Sequence, residues 1–273
     1  MQNKLIVIRG GGDLASGVAL RLRRAGFPVV ILELEKPLAV RRSVSFAEAV
    51  YQGAFELEGI VARLVSADQI MVALERGELP VLIDPLGAML KNQFITSPRS
   101  TIVIDARLLK AAPEKLDIKV ALHIGLGPGF IAKENCDAVI ETQRGHTLGR
   151  VYWQGAANAN SGLADGDPRR ALHAPHGGTL SAYVEIGARL EENQPIAEIK
   201  DSERVTLIAS PFAGVLRGLI HPSVQIQPKM KIGDVDARND PALCALISDK
   251  ALAIGGGALE AVMSSLQQEE ALF

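Results

Sequence analysis

The sequence predicts an α/β protein: a mostly parallel, doubly wound sheet followed by a second, small all-β domain. Three observations predict it. Short apolar runs alternate with helix-spaced stretches through the first half. A glycine triplet joins the first apolar run to the first helical stretch. From about Val151 that alternation stops, and two related β-type segments follow.

The first apolar run is Leu5-Ile6-Val7-Ile8, and it enters Gly10, Gly11 and Gly12. Apolar residues then recur at helical spacing from Leu14 to Leu22. Gly10, Gly12 and Ala15 fit the GxGxxG/A spacing of a Rossmann-like nucleotide-binding unit. Without a Cβ, the glycine backbone can approach a phosphate closely. The helix opened by Asp13 points unpaired N–H groups and its positive dipole end at the same place. The next strand, residues 27–34, brings Glu33 to the position where a ribose hydroxyl contact is expected. A tight strand-to-helix turn that binds nothing has the same local pattern.

At 273 residues the length suits about two domains, and 48% hydrophobic residues suffice for a packed core. The net charge of −2 implies no basic surface for nucleic acid or anionic lipid. No uninterrupted apolar stretch reaches the ~18 residues of a membrane span. The chain enters a strand at once, so no signal peptide is expected and the cytoplasm is the expected compartment. Cys136 and Cys244 are far apart and form no CxxC, which argues for buried thiols.

A short helical stretch is expected at 43–52 and a strand at 57–65. Ser66 and Gln69 have capping-box spacing ahead of a helix that stops at Gly77. Further strands are expected at 80–83, 101–104, 119–124 and 138–140, followed by Asp84, Asp105, Gly125 and Glu141. In a parallel sheet, ligands bind outside the carboxyl ends of the strands. Glu33, Asp84, Asp105, Glu141 and both glycine loops would then face one crevice. Asp84 before Pro85, and Asp105, are equally well read as helix caps. Nothing in the carboxylate spacing specifies a metal, so none is expected. Gly127 and Gly129 lie in a second glycine loop that could line an anion site with backbone N–H groups. Beyond Glu141, Arg144 could clamp a phosphate or carboxylate, and His146 could transfer protons near neutral pH.

In the second half, 155–175 is rich in Asn, Gly, Asp and Ala and reads as a long loop, with Asn158, Asn160 and Ser161 as turn residues or ligand contacts. His173 and His176 read as a solvated pair. Ala174-Pro175-His176-Gly177-Gly178 and Ser210-Pro211-Phe212-Ala213-Gly214 each lead into a strand and a turn. With Ile196-Ala197-Glu198-Ile199-Lys200 before the second copy, this resembles a biotinyl/lipoyl-like barrel-sandwich domain. The turn that carries the modified lysine in such carriers holds Glu203, so no lipoate or biotin attachment is expected. Glycines at 255–257 precede a final helical stretch at 259–266. The expected organisation is a Rossmann-like domain at 1–150, a linker at 151–172, the β-domain at 173–240, and a helical segment at 241–273 packing back on the first domain.

Gly125-Leu126-Gly127-Pro128-Gly129-Phe130, then Asp137-Ala138-Val139-Ile140-Glu141-Thr142, and Arg144-Gly145-His146 with Leu148-Gly149-Arg150 resemble the YqeB family. Lys231-Ile232-Gly233-Asp234-Val235-Asp236 and Ile247-Ser248-Asp249-Lys250 extend the resemblance. The first domain is also similar to the Rossmann-like domain of XdhC-type maturation factors. The resemblance implies an accessory factor that matures a selenium-dependent molybdenum hydroxylase. Its partners would be that client or other maturation proteins, its ligand a nucleotide or molybdopterin-type molecule, and a homo-oligomer is compatible with it. Two other functions share these residues: an NAD(P)-dependent oxidoreductase with His146 as proton donor, and a partner-binding module without turnover.

Overall fold

The computed structural model describes residues 4–92, 97, 100–109, 113–159 and 166–270. Asn160 and Ser161 lie outside the described residues. The first half runs β1 (Leu5–Arg9), α1 (Asp13–Arg24), β2 (Val29–Glu33), α2 (Ala49–Gln52), β3 (Ala54–Leu57), β4 (Ile60–Leu64), α3 (Ile70–Glu75), β5 (Leu79–Ile83), β6 (Thr101–Asp105), β7 (Leu122–Leu126), β8 (Ile131–Ala132), β9 (Ala138–Ile140) and β10 (Val151–Tyr152). The second half runs β11 (Gly155–Ala156), β12 (Ala171–His173), β13 (Thr179–Ala182), β14 (Arg189–Leu190), β15 (Pro195–Lys200), β16 (Val205–Ala209), β17 (Gly214–Leu219), β18 (Lys231–Asp236) and α4 (Asp249–Glu270).

The fold class differs from the expected one. Nine strands form a single large mixed sheet in the order β10-β9-β7-β6-β1-β2-β5-β4-β3. Neighbours from β9 to β4 pair in parallel, whereas β10 and β3 close the two edges antiparallel. Two local causes produce the mixed sheet. Glu58 (φ 47°) and Gly59 (φ 81°) turn the run expected as one strand at 57–65 into a two-residue hairpin. Val151 and Tyr152, expected to begin a linker, instead fold back onto Ile140 and Val139.

The central parallel strands β1, β2 and β6 are apolar for most of their length because both faces are covered, and they end in Arg9, Glu33 and Asp105. Ile6 and Ile8 of β1 enter a core shared with α1 and α4. Val7, between them, enters the opposite core with Ile70, Leu82 and Met89. The capping box forms at Ser66 and Gln69.

The small barrel-sandwich domain is corrected as well. The later strands form a four-stranded sheet, β12-β18-β17-β14, and a three-stranded sheet, β13-β15-β16, around a core that includes Ile196, Leu216 and Ile232, and they are joined to the first half by direct contacts. Gly218 of β17 lies so close to the chain after β2 that a Cβ there would sit 2.8 Å from the Val40 carbonyl oxygen. Arg42 Nε donates to the Leu219 carbonyl at 2.8 Å, Ser43 Oγ donates to the Cys244 carbonyl at 2.6 Å, and the His221 ring stacks on Tyr51 at 3.7 Å. The β15–β16 turn carries Glu203, and the Asp201 carboxylate shapes it by accepting the Glu203 and Arg204 N–H groups. His176 is buried rather than solvated, with Nε2 2.9 Å from Thr206 Oγ1 and Nδ1 3.1 Å from Asp201.

The glycines at 255–257 lie inside α4, not in a loop before it. Each costs up to about 1 kcal/mol relative to alanine in a helix. Close packing offsets that cost. A Cβ on Gly17 would sit 2.4 Å from the Ala251 carbonyl oxygen, and one on Gly255 equally close to that of Gly17. Helix α4 therefore lies against α1 at a separation that side chains would prevent. The stretch Pro241–Gln268 is long and apolar enough to cross a membrane by length and composition, although charged residues interrupt its apolar run. Here Ala251, Ile254, Ala258, Ala261 and Val262 are buried in the main core, as in the core helix of a globular protein.

Candidate functional site

The carboxyl ends of β1, β2, β5 and β6 open into a crevice of about 440 Å³. Gly10, Gly12 and Asp13 of the first glycine loop line it, with Glu33, Asp84 and Arg107 from the ends of the neighbouring strands. Leu34, Leu38, Leu108 and Leu109 supply an apolar rim, and Arg9 and Arg41 add cations.

The polar groups here are largely committed to one another. Gly10 N–H donates to the Leu32 carbonyl at 2.7 Å. The Glu33 carboxylate accepts Gly11 N–H at 2.6 Å and Leu34 N–H at 2.7 Å, so it occupies a donor that the sequence assigned to phosphate. Burial raises the Glu33 pKa above the usual carboxylate range, and the two N–H bonds offset part of that rise. Asp13 sits at the α1 N-terminus, accepts Leu14 N–H at 3.0 Å, and pairs with Arg41 at 3.3 Å. Ser16 locks the loop: its Oγ donates to the Gly12 carbonyl and accepts Phe46 N–H.

Among the described residues Asp105 caps no helix; residues 110 and 111 of the expected one lie outside them. Arg107 Nε lies 3.0 Å and Nη2 2.6 Å from its carboxylate, and Arg9 approaches it at 3.4 Å from the other side. Asp84 is a cap: its two oxygens accept the Ala88 and Met89 N–H groups at 2.8 Å. Asp84 and Asp105 are therefore both engaged by groups of the chain itself. Gly12 remains open, because a Cβ there would meet nothing within 4 Å.

The other expected site residues lie elsewhere. Gly127 N–H donates to the Ile140 carbonyl, and Asn135 Nδ2 donates to the Gly129 carbonyl. Thr142 fills the space beside Gly127, and Phe130 lies against Gly125. This second loop is a packing turn and does not line the crevice. Glu141 is fully buried and accepts the Gln143 and Asn158 N–H groups at 2.8 and 2.9 Å, which ties the loop to the chain beyond β11. Arg144 pairs bidentately with Asp249 at the start of α4, at 2.8 and 3.0 Å. His146 is exposed and outside the crevice. Cys136 is buried, and its thiol is pushed up to about 12, the reverse of a reactive thiolate. No group of three or more potential metal ligands occurs among the described residues.

Arg9, Arg41, Arg107 and Lys231 line the crevice without belonging to any of the motifs above. Arg9 and Arg107 could have been found, because each stands at or just past a strand end, as the acidic residues do. Arg41 and Lys231 come from loop and β-region positions that carry no local signal.

The chain is 42% identical over 271 residues to "Uncharacterized protein YqeB" of Escherichia coli (strain K12), a match covering 97% of this chain. It is a YqeB-family homologue. The chain spans 48% of the length of that YqeB protein. No family model matches. Among solved structures, an aspartoacylase family protein of Mesorhizobium loti has a TM-score of 0.28 at 8% identity, over 86% of this chain and 85% of that chain. A succinylglutamate desuccinylase/aspartoacylase of Rhodobacter sphaeroides has a TM-score of 0.26 at 11% identity, over 86% and 85%. The ectoine utilization protein EutE (DoeB) of Ruegeria pomeroyi has a TM-score of 0.25 at 11% identity, over 85% of this chain and 57% of that chain. These are not the Rossmann-like, XdhC-like or lipoyl-like proteins that the sequence led one to expect, and likeness at this level transfers no chemistry.

Proposed function

We propose that this YqeB homologue is an accessory factor that binds a nucleotide or molybdenum-cofactor-type ligand in the strand-end crevice. The observation that carries this reading is one cavity of ligand size that joins a leucine rim to Arg41, Arg107 and the buried Glu33. A planar ring would lie against Leu38 and Leu108. Arg41 and Arg107 would contact its phosphate. Glu33 would meet a hydroxyl or ring N–H, and the exposed Gly12 backbone would let the ligand approach. The client would be a selenium-dependent molybdenum hydroxylase, on the strength of the motif resemblance, and the setting the cytoplasm.

This reading is favoured over the oxidoreductase because His146, the proton donor that the oxidoreductase needs, is not at the crevice. The lining hydroxyl of Ser45 is committed as a donor to the Arg41 carbonyl at 2.8 Å. The test is a thermal-shift panel of NAD, NADP, nucleoside di- and triphosphates and molybdopterin dinucleotides, with Gly12→Val as control. A shift with one ligand that disappears in Gly12→Val is expected. A panel with no shift, or a shift that persists in the variant, refutes the crevice as the site.

A further inference from the structure

Strand β16, Val205-Thr206-Leu207-Ile208-Ala209, is an outer strand of the three-stranded sheet β13-β15-β16. Its side chains alternate. Val205, Leu207 and Ala209 are exposed, Val205 at 54% and Leu207 at 59%. Thr206 and Ile208 face inward: Thr206 Oγ1 lies 2.9 Å from His176 Nε2, and Ile208 belongs to the core of the β-region. On one side β16 pairs with β15, from Val205 against Lys200 to Ala209 against Pro195. Among the described residues no strand pairs with its other side.

An open strand edge is a template for a further strand, and proteins guard such edges with charge, proline or short length. The other sheet edges here are guarded. β3 carries Glu56, β10 and β14 are two residues long, and β12 is three. β13 continues from Gly178, whose N–H and carbonyl are both bonded to Ile226. β16 has none of these devices. It has five residues, three of them β-branched, with no charge, proline or glycine. Its backbone asks for a strand, and its outward face for apolar side chains.

Two features identify that strand as β16 of a second copy. A two-fold axis brings each side chain near the axis against its own counterpart, so a self-pairing strand has to be free of charge there, as β16 is. The ends are complementary. Antiparallel pairing centred on Leu207 sets Arg204 of one copy opposite Ser210 of the other. Asn193 N–H donates to the Ser210 carbonyl at 2.8 Å, so the exposed Glu191 and Glu192 turn back beside that residue. Arg204 is exposed and within reach of them, once in each half of the pair. Of the acids at its own hairpin tip, Asp201 is engaged by His176 and by the Glu203 and Arg204 N–H groups, and Glu203 falls opposite Pro211.

We propose that β16 is a self-association edge: two copies of this chain pair antiparallel through it about a two-fold axis at Leu207, which joins their three-stranded sheets into one continuous sheet. Leu207 then lies against Leu207 of the second copy, and Val205 against Ala209. No β16 residue lines the crevice, so this pairing stands or falls independently of the ligand.

The test is sedimentation of the full chain over a concentration series, for the wild type, Leu207→Lys, Leu207→Glu and an equimolar mixture of the two variants. Each variant is first shown to melt like the wild type. The wild type is expected to reach the mass of two 29.1 kDa chains as concentration rises. Each variant alone sets like charges against each other and should self-associate at least about tenfold more weakly. The mixture sets Lys against Glu and should recover the dimer. A wild type that stays monomeric throughout overturns the proposal. So do a dimer that persists unchanged in both variants, a mixture that does not recover it, and an open-ended assembly larger than a dimer. Hydrogen exchange of the wild type provides a readout that needs no variant: protection of the β16 amides should rise with protein concentration, and protection independent of concentration overturns the pairing.

Discussion

The two glycine loops of this protein look alike in sequence and differ in the structure at Gly12, which alone of Gly10, Gly11, Gly12, Gly125 and Gly127 faces open space. Gly10, Gly11 and Gly12 follow β1, and the glycines of the 125–129 loop end and follow β7, both at carboxyl ends of the same sheet. At the first loop, Gly12 faces open space. At the second, a Cβ on Gly125 would lie 2.0 Å from the Phe130 ring, and one on Gly127 would lie 2.4 Å from Thr142 Oγ1. A glycine loop is thus defined by what occupies the volume beside it. In the first, Gly10 and Gly11 are closely packed, with a Cβ 3.1 Å from the Ala106 carbonyl oxygen and 3.0 Å from the Ala47 nitrogen, and Gly12 alone of the three leaves the backbone open; in the second, Gly125 and Gly127 are both packed.

Substitutions should separate the two. The largest effect is expected from Gly125→Ala, which forces a methyl into a ring that is itself buried and has little room to move. Overpacking of this kind should cost about 3 kcal/mol, read as a lowered urea midpoint, with ligand binding intact below the transition. Lost binding without lost stability would contradict the packing role.

Glu33→Gln comes next. The amide can accept only one of the two N–H groups that Glu33 now accepts, so one is left unsatisfied, at about 1–3 kcal/mol. The effect depends on pH with a definite sign. Because the folded pKa of Glu33 is raised by burial, its contribution is fully present below the unfolded value of about 4.3 and is lost as pH rises through the folded value. The gap between wild type and Glu33→Gln should therefore narrow from the acid side towards neutrality. A gap that widens with pH would show that Glu33 is held charged, not neutralised.

Gly12→Val should change stability by less than about 1 kcal/mol, since nothing stands in its way. A large loss of stability would show that the first loop is a packing turn like the second. The smallest effect is expected at Arg144, the residue assigned to phosphate beside the second loop. It holds Asp249 down to about 2. That stability is present above the ordinary aspartate value and is lost as pH falls towards about 2. The pair is largely exposed, so Arg144→Ala should cost about 0.5 kcal/mol or less. The cost should disappear in an acid titration of thermal stability.

The strand–loop–helix start, the capping box at Ser66 and the strand-end position of Glu33 were legible because each depends on residues close in sequence. The hairpin at Glu58 and Gly59 was hidden by apolar residues running through it. The edge pairing of Val151 with Ile140 is two residues long, too short for any periodicity. The helical glycines 255–257 read as a loop because propensity alone disfavours them; Gly255 is explained by α1, more than 200 residues earlier, and Gly257 by the backbone at Gly149, while nothing stands beside Gly256. Of the expected crevice, Gly10, Gly12, Asp13, Glu33 and Asp84 were legible, whereas Asp105, Glu141 and the 125–129 loop do not line it. Its basic residues were not legible, because Arg41 and Lys231 come to it through the packing of the β-region on the large sheet.

The most direct test of the central claim is a crystal structure with the panel ligand that gives the largest thermal shift. Ligand density bounded by Gly12, Leu38, Arg41 and Arg107, with a polar atom on Glu33, is the predicted result. Density at the 125–129 loop, or an empty crevice in a crystal whose ligand binds elsewhere on the chain, would contradict it.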